Sequence, residues 1–161
     1  MQFEFPEDKK FFAGILAEGD EDLLDVEYSD LFDFRHPAIK RWEFDKVSKK
    51  VLRELTEKHK SECQLRIHHE CSNDDGFEPD HIIPLSSNVL NKELRHMKPE
   101  KGMKVVAQSF GSNNPRNLTL ACRKCNRLKK HRILSGGILE KLLVGDVSFV
   151  DKERVRLLSL H

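Results

Sequence analysis

Asp80-His81-Ile82-Ile83-Pro84 sets a carboxylate beside an imidazole at the head of a β-branched run. Further on, Asn117-Leu-Thr-Leu-Ala-Cys122-Arg-Lys-Cys125-Asn126 ends a short apolar run in a two-cysteine knuckle followed at once by an amide. An imidazole titrates near neutrality and can accept a proton from water at working pH. Carboxylate and amide oxygens are hard donors of the kind that hold Mg²⁺ while leaving positions for water and phosphate. Phosphodiester hydrolysis needs both parts: a deprotonated water in line with the scissile bond, and a cation against the charge that grows on the phosphoryl and leaving oxygens. His81 is therefore the candidate general base, and Asp80 and Asn126 are candidate ligands of a catalytic Mg²⁺ or Mn²⁺.

Cys122 and Cys125 have knuckle spacing, and Cys63 and Cys71 lie just upstream of the Asp80 run. The four read as ligands of one structural Zn²⁺ that pins both runs at one end and substitutes for core that a small unit lacks. A CxxC pair ahead of a basic stretch fits a metal site in a reducing compartment better than two disulfides. Seven residues separate Cys63 from Cys71, and His68 and His69 lie between them. His68-x-x-Cys71 is thus an alternative knuckle to the four-cysteine set. His131 lies five residues beyond Asn126, about 140° around a helix, and is expected to point elsewhere.

These residues meet only if two strands and a helix fold together. The Asp80 run should be one strand, ended by Pro84, and Leu118 to Ala121 the second. A helix is expected from near Cys125 to Ser135-Gly-Gly137. Neighbouring residues on a regular strand face opposite ways, so the strand must be irregular at Asp80 and His81, or His81 must already belong to a loop. Upstream, Phe44, Val47, Val51, Leu52 and Leu55 recur at helical spacing and predict one amphipathic helix over 42–60. The 32 residues between Pro84 and Asn117 are too many for a structureless loop, and Asn88 to Met97 reads as a helix within them. Residues 1–41 are acidic and rich in Phe, with a short helical piece or two, and 138–161 should add a helix and a closing element.

The chain has 161 residues, about one domain, with 28 Lys and Arg against 27 Asp and Glu for a net charge of +1. The balance hides a dipole. Arg116 to Arg132 contains seven basic residues and no acid, whereas Phe11 to Phe34 contains eight acids and no base. The acidic segment is a candidate docking arm for a protein partner or a cover for the basic stretch. No apolar run approaches the roughly 18 residues of a membrane span, and the N-terminus lacks signal-peptide form, which leads to the expectation of a soluble cytoplasmic protein.

The motifs together resemble the HNH endonucleases, whose ββα-metal core carries an Asp-His pair on the first strand, an Asn opening the second, and a His or Asn at the start of the helix. Asp80-His81, Asn117, Cys122-Arg-Lys-Cys125-Asn126 and Lys129 follow that pattern in order and spacing, and Cys63-Gln-Leu-Arg66 with Cys71 is similar to the zinc-stapled members. The resemblance covers roughly residues 50 to 135. It implies an α+β fold with a small ββα-metal (HNH/His-Me finger) core stapled by zinc, flanked by added N-terminal helices and a C-terminal helical extension. The division it suggests is an N-terminal extension over 1–41, a nuclease core over 42–135 with an insertion at 85–116, and a C-terminal extension over 136–161 packed on the core.

The resemblance makes Asn117 a brace for the loop that bears His81, and gives phosphate contacts to Arg123, Lys124, Arg127, Lys129, Lys130 and Arg132. It implies cleavage of double-stranded DNA to 5′-phosphate and 3′-hydroxyl ends, a bacterial or phage-encoded origin, and a homodimer or a protein partner as options. The rival reading is a non-catalytic zinc-stabilised DNA-binding or scaffold module within a defence or phage-packaging complex.

Overall fold

The computed structural model describes residues 1–134 and 136–144; the expected closing element after the last helix lies outside these residues. The fold is α+β, with seven helices and two small antiparallel sheets among the described residues.

Helix α1, Pro6–Leu16, starts with Pro at its first position and two acids in its first turn, the residues that suit the missing donors and positive end of a helix N-terminus. Glu18 and Gly19 then take positive φ and turn the chain into α2, Glu21–Glu27, capped by Asp20, whose carboxylate accepts from the N–H groups of Asp22 and Leu23. A 3-10 turn at Ser29–Leu31 follows.

Where the spacing predicts one helix over 42–60, two form: α3, Pro37–Asp45, and α4, Ser48–Lys58. The break at Lys46 and Val47 lets each helix turn a different face inward. Leu55 of α4 packs on the sheet with Val51 and Leu52, while α3 buries Lys40 against neighbouring loops.

Strand β1, Phe77–His81, pairs antiparallel with β4, Leu118–Cys122, in the register Phe77 to Cys122 through His81 to Leu118. All five β4 positions are buried, with α4 and the helix that follows β4 packed against the pair. Helix α6, Arg123–Lys129, follows β4 directly. It begins two residues before Cys125 and stops well short of Gly136, because Lys130 adopts φ 51° and ψ −122°, which no helix continues.

Between the strands lie β2, Ser86–Ser87, the one-turn helix α5, Val89–Glu93, and β3, Gln108–Ser109, which pairs with β2. Helix α5 is shorter than the predicted Asn88 to Met97. Arg95 folds back over it to Asn91, Asp8 and Gln108, and His96 has positive φ. Helix α7, Gly136–Val144, packs on α1. The Gly-Gly pair expected to stop a helix therefore stands at the start of another.

Residues 1–34 form no appendage. Phe12, Leu24, Leu31 and Phe32 make the main apolar cluster with Ile82 and Ile83, which directly follow His81, and with Phe110, Ile133 and Leu139. A second cluster surrounds the cysteines.

Candidate active site and metal centre

Cys63 and Cys71 come from the segment between α4 and β1, Cys122 ends β4, and Cys125 lies in the first turn of α6. Their sulfurs all lie within 4.8 Å of one another with no disulfide among them. The Cys71 and Cys122 sulfurs are 3.9 Å apart; a tetrahedron with metal–sulfur bonds of about 2.3 Å has edges of about 3.8 Å. Backbone N–H groups of Cys125 and His68 point at the Cys122 and Cys125 sulfurs, each at 3.4 Å.

Four thiols so close cannot all ionise unaided. The hydrogen bond with Cys125 pulls Cys63 down to about 5, burial pushes Cys71 up to about 12, and the hydrogen bond with Cys63, with burial, drives Cys125 upward. A cation removes that conflict, and the donor set is one that structural zinc sites use, so the cluster can hold Zn²⁺. His68 stays outside it. Its Nδ1 accepts the Glu70 N–H at 2.9 Å and its ring stacks on His69, and the two form a separate donor group with Glu70.

Beside this cluster is a cleft whose lining includes Arg41, Asp80, His81, Asn126, Lys130 and His131. Asp80 and Glu78 share a face of β1, and Asn126 and Lys129, three apart, share a face of α6. Strand pleat and helix period thus make two pairs. Asp80 Oδ1 accepts from Lys129 Nζ at 3.2 Å, and Asn126 Nδ2 donates to Glu78 Oε2 at 2.6 Å. Asp80 is 4% exposed, and its Oδ2 is buried without a hydrogen-bond partner. Burial pushes its carboxyl upward against the opposing pull of Lys129. With its NH₂ held by Glu78, Asn126 keeps its Oδ1 as an acceptor.

His81 is not in a loop but is the last residue of the ladder, paired with Leu118, and it lines the cleft together with Asp80. Beyond it, the Ile82 N–H goes to the Asn117 carbonyl at 2.8 Å and the Ile83 N–H to Asn117 Oδ1 at 2.8 Å. Asn117, fully buried, also donates from Nδ2 to the carbonyls of Ile83 and Ser112, so it ties the segment after His81 to the 112 loop. Phe44 of α3 meets the imidazole edge-on at 4.7 Å, and Nε2 lies 2.8 Å from Asn113 Oδ1. Burial pulls the ring's pKa down to about 4, so it is neutral at pH 7.

The expected phosphate-contacting residues divide. Arg123 pairs with Glu78, and Lys124 with Asp75 and Glu70. Arg127, Lys130 and Arg132 line a second cleft with Lys124 and His68, and Lys130 belongs to both clefts. Lys129 departs from expectation. It is fully buried, bound to Asp80 and to the His81 carbonyl at 2.8 Å, and so has no surface for phosphate.

His131 also departs from expectation. It lines the cleft beside Asp80 and His81 because α6 ends before it and Lys130 turns the chain back. Among the N-terminal acids, Asp8 and Glu7 meet Arg95, and Asp30 meets Arg116, the first residue of the basic stretch.

Sequence reasoning missed Glu78, Arg41, Lys40 and Asn113. Glu78 carried a signal, since it is two residues from Asp80 on a strand. Lys40 carried a weaker one, four residues before Phe44 on a helix. Asn113, in a turn-rich Gly-Ser-Asn-Asn-Pro stretch, carried none. Comparison with protein-family models, curated proteins and solved structures finds no match.

Proposed function

We propose that this protein is a metal-dependent endonuclease of the HNH type that hydrolyses phosphodiester bonds, with double-stranded DNA as substrate. One observation carries the reading. A single cleft is lined by a neutral imidazole, an amide oxygen left over after its NH₂ is tethered, and a carboxylate with one buried oxygen that lacks any partner. An orphaned carboxylate oxygen is costly unless something binds it.

Asp80 Oδ2 and Asn126 Oδ1 are the atoms that would hold a Mg²⁺ or Mn²⁺ ion. When bound, such a cation offsets charge on the phosphoryl and leaving oxygens. His81, neutral before the reaction, takes the proton from the attacking water. Arg127, Lys130 and Arg132, in the adjoining cleft, hold the phosphates that flank the scissile one. A structural Zn²⁺ would be held by the four cysteines and would tie the segment before β1 to the end of β4 and the start of α6.

A second reading also has an observation behind it. Lys129 already supplies Asp80 with a cationic partner, as expected of a zinc-stabilised module that binds DNA without cutting it. Supercoiled plasmid with Mg²⁺ or Mn²⁺ separates the two. Nicking or linearisation by wild type is expected, reduced about 10²- to 10⁴-fold in His81→Ala. Cys122→Ala should lose bound zinc and its circular dichroism melt. Retention of plasmid without cleavage would favour the module, and an undiminished His81→Ala would remove the base assignment.

A further inference from the structure

Lys40 and Asn113 lie outside every motif that points to the cleft, yet they form one connected support for His81. The Lys40 ammonium, fully buried, donates to the carbonyls of Asp33 at 2.7 Å, Leu85 at 2.9 Å and Gly111 at 2.6 Å. Three chain segments are gathered on one side chain. The main-chain carbonyl of Lys40 in turn accepts Asn113 Nδ2 at 2.9 Å. A carbonyl oxygen can only accept, so the orientation of the Asn113 amide is decided: NH₂ toward Lys40, Oδ1 toward His81. The flipped amide would face one oxygen with another.

That orientation reaches the imidazole. Oδ1 lies 2.8 Å from His81 Nε2 and offers an acceptor only, so Nε2 must carry the proton. We infer that Asn113 is a positioning residue that fixes the tautomer and ring orientation of His81, leaving Nδ1 as the basic nitrogen for the cleft. The loop that carries it is held on both sides. The Gly111 N–H goes to Pro84 O at 2.8 Å, and the Ser112 carbonyl accepts from Asn117 Nδ2 at 2.9 Å. Asn117 therefore braces Asn113 as well as the segment after His81. Asn113 acts on the reaction only through His81, and its catalytic consequence rests on the endonuclease reading.

The test reads the tautomer directly. In full-length protein labelled with ¹⁵N-histidine, at a pH where the ring is neutral, His81 should show a protonated Nε2, an unprotonated Nδ1, and an Hε2 proton slow to exchange with solvent. Asn113→Leu should remove that protection while the thermal melt shows the protein still folded, and should lower kcat about 10- to 100-fold with KM unchanged. Asn113→Asp, which keeps an acceptor for Nε2 but sets a second oxygen against the Lys40 carbonyl, should restore the Hε2 protection while lowering the melting temperature. A proton on Nδ1 in the wild type would overturn the proposal, as would Asn113→Leu with unchanged Hε2 protection. If the protein cuts no DNA but shows the expected tautomer, the endonuclease reading fails and the positioning role stands.

Discussion

Three asparagines around the cleft work by the same rule. Asn126 gives its NH₂ to Glu78, Asn113 to the Lys40 carbonyl, and Asn117 to the carbonyls of Ile83 and Ser112. Each amide oxygen is thereby aimed, at the cleft, at His81 and at the Ile83 N–H in turn. Lys129 does the equivalent for charge. Buried beside Asp80, it offsets a carboxylate that burial alone would drive toward its neutral form. Removing one partner of a buried pair leaves the other uncompensated, so Lys129→Met should destabilise the fold by about 3–5 kcal/mol in urea unfolding without added divalent cation. Arg127→Ala, on the surface, should change stability by less than about 0.5 kcal/mol. It should instead weaken DNA binding and reduce the slope of log K against log salt by about 0.9. If Lys129→Met weakens DNA binding with no loss of stability, the phosphate-contact role expected from sequence is right after all.

At the scale of elements, the end of α6 sets the shape of the cleft. With φ 51° and ψ −122°, Lys130 occupies a region that glycine takes freely and a β-carbon resists. Such strain costs on the order of 1–3 kcal/mol and persists where function uses it. The turn brings His131 into the cleft that holds His81 and puts Lys130 between both clefts. Lys130→Gly should therefore raise the melting temperature while weakening DNA binding; a lower melting temperature would show the turn to be unstrained. This turn also marks what the sequence could and could not convey. Asp80, His81, Asn117, Asn126 and the cysteines were legible because their chemistry is carried by residue type at short spacing. The stop after Lys129 was not, since no Gly or Pro marks it. The break between α3 and α4 was hidden because apolar spacing runs through Val47, itself half exposed. Lys129 and Lys40 looked like surface lysines, and only contacts from distant segments bury them.

For the whole molecule, the site is held between two apolar clusters of different origin. One surrounds the four cysteines, which can hold a metal ion. The other joins residues 1–34 to Ile82 and Ile83, immediately after His81, and to Ile133, two residues after His131. The acidic segment is thus built into the support of β1, and its acids answer Arg95 and Arg116 rather than the basic face of α6. Phe12 alone, fully buried among Phe3, Phe32 and Phe110, should cost about 3–5 kcal/mol when cut to Ala. Deleting residues 1–34 also removes Leu24 and Leu31, both fully buried and worth about 2–5 kcal/mol each, and the sum matches the roughly 5–15 kcal/mol that holds a domain folded. The truncated chain should show no cooperative thermal unfolding and no plasmid cleavage at any salt concentration. A truncated protein that melts cooperatively and cuts faster than wild type would instead make the segment a restraining cover, because a cover can leave without taking the core with it, whereas a core layer cannot.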